Sequence, residues 1–303
     1  MSMIPILALL WAGLLASPSP RVEYHPAAVQ LPLTIKDNDW KPLREWTDPR
    51  LQYELSKRLL ANKRWRSLIG RGKMSVGLVD LRDPARIRWA QANGDIMLYA
   101  ASLPKIVVLL AVYRALEDGT LTETESLNKD LIDMIRFSSN AAATRFIDDL
   151  GFDRIEAAVL DPRVKFYDPE NGGGLWVGKR YAQSGERRPE PVRGLVHTAT
   201  VTQVCRFYYL LATGRLIDAE RSSQMLEVLS QPDTKHKFVL ALGDIAPGVT
   251  VYRKSGTWKS WHSDSVLVWG EGRHYILVAL VDDSQGEQLL RDLVSIAENA
   301  LNG

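Results

Sequence analysis

The sequence predicts an α/β chain of the α+β type: a five-stranded antiparallel sheet flanked by N- and C-terminal helices, with an all-α subdomain inserted between the early and late strands. Three observations lead there. Two β-rich runs, Lys73 to Leu81 and Ile87 to Ala92, are joined by the turn residues Arg82-Asp83-Pro84-Ala85, as in a hairpin. Three more such runs, Thr250 to Lys254, Ser265 to Trp269 and Tyr275 to Val281, follow one another near the other end with turn residues between them. Most of what lies between has helical period, so one long crossing connects two sets of hairpin-linked strands.

In chain order, Met3 to Ala16 is nearly all apolar, too short to span a bilayer and of the length of a signal-peptide core. Residues 1–17 therefore read as an export signal, and 18–46, with Pro18, Pro20, Pro26, Pro32 and Pro42, as an extended linker or surface arm. Asp48-Pro49 starts a helix, and Leu51, Leu55, Leu59, Leu60, Trp65 and Leu68 recur on one face until Gly70 ends it. Residues 47–98 and 249–303 are assigned to the sheet subdomain and 99–248 to the helical one. Helices are expected from about Ser102 to Glu117, over Glu125 to Phe137, Asn140 to Leu150, Thr200 to Ala212, Asp218 to Leu229 and Gln288 to Leu301. Asp161 to Val196 is punctuated by Gly and Pro and is expected to lack regular structure; so long a loop in a compact domain usually has a function.

Composition narrows the partners. With 38 basic and 36 acidic residues the net charge is +2, which favours small or neutral ligands over nucleic acid or an anionic membrane. Cys205 is the only cysteine, so disulfides are excluded, and no His/Cys/Asp cluster has metal-ligand spacing. Gly172-Gly173-Gly174 is no phosphate loop, because no Gly-Lys-Ser/Thr follows it.

Three motifs carry chemistry. Ser102-Leu103-Pro104-Lys105 opens the apolar run Ile106 to Tyr113; three residues apart at a helix N-terminus, Ser102 and Lys105 share a face, where an ammonium can lose its proton and serve a nucleophilic hydroxyl. Ser138-Ser139-Asn140 puts a hydroxyl and an amide at a junction between helices. Lys254-Ser255-Gly256-Thr257, on a strand, combines an ammonium and hydroxyls with a Gly that lets a substrate backbone approach.

These motifs resemble those of the serine β-lactamases and penicillin-binding D,D-peptidases, Ser-x-x-Lys, Ser-x-Asn and Lys-Thr/Ser-Gly, in family order and on the expected elements; the likeness is closest to class A β-lactamases. The resemblance implies a β-lactamase/transpeptidase-like fold, and a serine hydrolase in which Ser102 is acylated, Lys105 helps deprotonate it and Ser138 relays a proton to the leaving nitrogen. Asn140 would hold a substrate amide, Lys254 would set the field, and Ser255 or Thr257 would bind the substrate carboxylate. The N–H groups of Ser102 and Thr257 would form the oxyanion hole. It further implies a small β-lactam or peptidoglycan-like substrate and no cofactor; the apolar run Met3 to Ala16 implies a periplasmic or secreted protein, and a monomer is expected. A D,D-peptidase or esterase, or a penicillin sensor that stays acylated, is the alternative.

Departures from the family are equally plain. Ser102 and Ser138 are only 36 positions apart, which leaves no room for the class A segment with its aromatic at the cleft mouth. The family's deacylating Glu-x-x-Leu-Asn is absent; Glu186, counted back from Thr198-Ala199-Thr200, and Glu170, counted forward from Asn140, are the candidates. Ser139 replaces the family's Asp. His262 either reaches the cleft rim or is structural.

Overall fold

A computed structural model describes residues 31–303; the apolar segment 1–17 and residues 18–30 of the arm lie outside the described residues. The helices are α1 (Pro49–Ala61), α2 (Lys63–Gly70), α3 (Lys105–Glu117), α4 (Glu125–Ile135), α5 (Asn140–Leu160), α6 (Val201–Ala212), α7 (Ala219–Leu229), α8 (Phe238–Ile245) and α9 (Gly286–Leu301). The strands are β1 (Met74–Asp80), β2 (Arg88–Ala92), β3 (Leu98–Tyr99), β4 (Tyr167–Asp168), β5 (Gly173–Gly174), β6 (Trp176–Val177), β7 (His197–Ala199), β8 (Thr250–Trp258), β9 (Trp261–Gly270) and β10 (Arg273–Asp282).

The five long strands form one antiparallel sheet in the order β2-β1-β10-β9-β8, so the long crossing brings β10 against β1 and leaves β8 at an edge. Alternation along β10 feeds two cores at once. Leu277, Ala279 and Val281 meet α1 and α9, while Ile276, Val278 and Leu280 meet the helical side. In α9, Leu289, Leu290, Leu293, Val294 and Ala297 recur at helical spacing and are buried, the large ones contributing about 1.5–3 kcal/mol each. α3 is buried on nearly every side and is the axis of the helical half.

The helix read from Asp48 to Gly70 is two helices. The Asn62 side chain accepts from the N–H groups of Arg64 at 2.9 Å and Trp65 at 3.2 Å and so caps a new start. Gly151, with φ 73° and ψ 157°, interrupts α5, but helix resumes at once and runs to Leu160. The region Asp161 to Val196 is not structureless: β4 pairs with β5, and β6 with β7, which also pairs with β3. Two-residue strands are too short to show a period, which is why the sequence hid them. Of the arm, Leu33 and Leu43 are buried, and Leu33 N–H donates to Ala212 O at 3.0 Å. Among the described residues no helix is long and apolar enough to cross a membrane.

Candidate active site

Ser102 lies just before α3, not inside it. Leu103 N–H donates to Ala100 O at 3.0 Å and Lys105 N–H to Ser102 O at 3.2 Å, a run of three-residue turns in which side chains i and i+3 eclipse. Ser102 and Lys105 therefore share a side more closely than an α-turn would place them. Ala101 has φ 51° and Ser138 φ 57°, a region that costs a non-Gly residue of order 1–3 kcal/mol.

Two of the motif side chains, Ser138 and Asn140, converge on Lys105. Its ammonium donates to Ser138 O at 2.6 Å and Asn140 Oδ1 at 2.8 Å, with Ser138 Oγ at 3.4 Å. Because an ammonium only donates, the amide oxygen of Asn140 faces it and the NH2 is left for another partner. Lys254 Nζ reaches the same Ser138 Oγ at 2.9 Å, so two buried lysines flank one hydroxyl. Burial pushes Lys105 down to about 7, and burial, then the charges of Lys105 and Arg253, hold Lys254 well below the ordinary lysine value. Ser139 caps α5 by accepting from Ala142 N–H at 3.2 Å.

The third motif is brought up against the nucleophile by its glycine. A Cβ at Gly256 would stand 2.3 Å from Ala100 O and 2.5 Å from Ser102 N, so only Gly lets β8 lie this close. Ser263 of β9 secures the approach by donating from Oγ to Ala100 O at 2.8 Å. Ser255 is buried, whereas Thr257 is exposed and lines the cleft. β8 is an edge strand, so one side of its backbone is unpaired in the sheet and open to a ligand.

Sequence reasoning missed Lys237. It is buried with φ 54°, and its ammonium donates to Gly256 O at 2.7 Å, Thr257 Oγ1 at 2.8 Å and Ser263 O at 3.0 Å. Burial lowers it to about 8. With Oγ1 accepting from Lys237, the Thr257 hydroxyl proton is free to point elsewhere. Nothing local marks such a lysine in the sequence. It is placed by Asp264, whose carboxylate forms a two-point ion pair with Arg253 at 2.8 and 2.9 Å and accepts from Phe238 N–H at 3.1 Å.

The cleft, about 900 Å3, is walled on one side by the β8–β9 hairpin and on the other by segments 179–187 and 194–197. Glu190 pins that second wall: its carboxylate accepts from the N–H groups of Val192, Arg193 and Leu195 at 2.7, 2.8 and 3.0 Å and from the Tyr167 hydroxyl at 2.7 Å. Burial alone would raise its pKa, but these bonds outweigh it and hold the carboxyl below its usual range. Tyr181 stacks on His197 with ring centres 4.2 Å apart, and Lys105 Nζ lies 4.6 Å from the Tyr181 ring centre. Lys179 O accepts from His197 Nε2 at 2.8 Å, and burial lowers this imidazole to about 4, leaving it neutral at pH 7.

The two candidate glutamates stand apart from this group. Glu170 is exposed on a short turn at Pro169–Asn171, and Glu186 is exposed and bonded to Arg188 at 2.7 Å; neither lines the cleft. His262 is buried against Gly286 at the start of α9, away from the cleft lining, and Cys205 is buried. Among the described residues no cluster is suited to a metal ion.

Comparisons with known proteins agree with this fold. A family model described as the beta-lactamase enzyme family matches residues 126–302, which takes in Ser138, Asn140 and the Lys254 motif but begins after Ser102. No curated protein matches the chain. Among solved structures, a beta-lactamase from Sphaerobacter thermophilus is 17% identical with a TM-score of 0.62, over 82% of this chain and 96% of the other. PBP-A is 16% identical with a TM-score of 0.61, over 84% and 97% respectively. A mutant form of PBP-A, solved as an acyl-enzyme complex with penicillin G, gives 17% and 0.62 over the same shares. At these identities the structures establish a shared fold, and the family match covers more than half of the 303 residues. The chain belongs to the beta-lactamase enzyme family.

Proposed function

We propose that this chain is a serine acyl-enzyme hydrolase in which Ser102 attacks the carbonyl of a β-lactam or an acyl-peptide. Neutral Lys105 takes the Ser102 proton. The developing oxyanion is met by the backbone N–H groups of Ser102 and Thr257, which the clearance at Gly256 allows to converge. Ser138 then passes a proton to the departing nitrogen: with Oγ accepting from Lys254, its own hydrogen is free to donate, and the Lys105 ammonium formed in the first step returns a proton to Ser138. The Asn140 NH2 holds a substrate carbonyl, and the Thr257 hydroxyl, backed by Lys237, holds the substrate carboxylate together with Ser255. The run Met3 to Ala16 supports export.

The observation that carries this reading is the single hydroxyl, Ser138 Oγ, shared by two buried lysines whose ammonium forms are disfavoured. Such a site is built for proton transfer. The second half-reaction is less well equipped, since no Asp or Glu is among the described residues lining the cleft. That favours a long-lived acyl-enzyme, of the peptidase or sensor kind, over rapid β-lactam turnover. Incubation with a fluorescent penicillin and a chromogenic cephalosporin tests both halves. Covalent labelling with little hydrolysis is the expected outcome; hydrolysis without accumulated label would restore the rapid β-lactamase reading.

A further inference from the structure

The cleft is charged on one side of the scale only. Lys179, Arg180, Arg187 and Lys259 line it and no Asp or Glu does, although the whole chain has a net charge of just +2. Two of these cations are already engaged. Lys179 Nζ donates to Gln183 O at 3.1 Å, and Arg180 is paired with Asp148. Arg187 and Lys259 have no side-chain hydrogen bond or ion pair among the described residues. They stand on different walls: Arg187 is bridged to Lys179 on the Glu190-pinned wall, and Lys259 is at the tip of the β8–β9 hairpin, two residues beyond Thr257. Arg187 acts on the cleft interior, because burial raises the Tyr99 phenol and the Arg187 charge opposes that rise.

Cations with no internal partner, held on opposing walls, focus their field on whatever lies between them. One carboxylate of an acyl donor is already accounted for by the Lys254 motif next to the scissile bond. We infer that the cleft selects acyl donors carrying a second carboxylate on the acyl side chain, drawn to Arg187 and Lys259. The inference rests on the acyl-enzyme reading and names its substrate class: a peptide or β-lactam with two anionic groups.

Benzylpenicillin and its α-carboxylated analogue differ by that one group. The measurement is the ratio of their second-order rate constants for acylating Ser102 in the full chain, for wild type and the Arg187→Gln/Lys259→Gln double variant, with thermal melting to confirm folding. Wild type is expected to favour the α-carboxylated compound about tenfold, and raising ionic strength from about 0.05 to about 0.5 M should shrink the ratio because such exposed charges are screened. In the double variant the ratio should fall to near one. A wild-type ratio near one, or a ratio unchanged in the folded double variant, overturns the inference while leaving the acyl-enzyme reading intact. If neither compound labels Ser102, that reading fails and the inference falls with it.

Discussion

Replacing Gly256 with Ala probes the closest approach in the site. The new Cβ would lie 2.3 Å from Ala100 O, 2.5 Å from Ser102 N and 2.8 Å from Ser263 Oγ. Two of these neighbours are backbone, and one is the N–H proposed for the oxyanion hole. Relieving the contact requires β8 and the Ser102 turn to separate by about 1 Å. Overpacking of this size costs about 1–3 kcal/mol of stability. The effect on chemistry is larger, since a displacement of about 1 Å in an oriented site costs about 100-fold in rate. The assay is the second-order rate constant for labelling by a fluorescent penicillin, set beside a thermal melt of the same preparation. Gly256→Ala is expected to remain folded and to label about 100-fold more slowly. Labelling within about threefold of wild type would show that the contact between β8 and the Ser102 turn does not set the reacting geometry.

Three further outcomes follow from the same geometry. Only the neutral amine of Lys105 accepts a proton, so the labelling rate constant should rise with pH up to about 7 and level off above it; Lys105→Arg, which cannot give up its charge, should lose about 10²–10⁴-fold, and a flat pH profile or near-normal labelling by the variant would contradict the base role. Glu190→Gln weakens the hold on three backbone N–H groups at a cost of about 1–3 kcal/mol, visible as faster hydrogen exchange across 179–196 and slower labelling; unchanged exchange would contradict the pinning role. Glu170→Gln and Glu186→Gln should each deacylate at the wild-type rate, because both carboxylates lie outside the cleft lining, and accumulation of label in either would restore that residue as the deacylating base.

Much of this was legible in the sequence because it was periodic or local. The strand runs Met74 to Asp80 and Tyr275 to Val281 are rich in apolar residues, and the short turns that join each to its sequence neighbour, β2 or β9, dictate antiparallel pairing. Ser-x-x-Lys, Ser-x-Asn and the Lys254 motif are short enough to read directly, and the fold brings Lys105, Ser138, Asn140 and Lys254 within bonding distance. What the sequence concealed depends on long-range partners. Lys237 acquires its place from Asp264 and from the carbonyls of β8 and β9, and α8, which follows it, is too short for a clear period. Glu190 carries no signal in the sequence, because most of its partners are the N–H groups of its own loop. Glu170 and Glu186 drew attention by counting residues alone, and counting carries no information on which way a loop folds.

The most direct test of the account is the location of the adduct. After incubation with penicillin, proteolysis and mass spectrometry of the full chain should place the added mass on the peptide carrying Ser102, and Ser102→Ala should carry none, since Ser102 lies one turn before Lys105 with its N–H at the Gly256 clearance. An adduct on Ser138, or labelling that persists in folded Ser102→Ala, would contradict the assignment of Ser102 as the nucleophile.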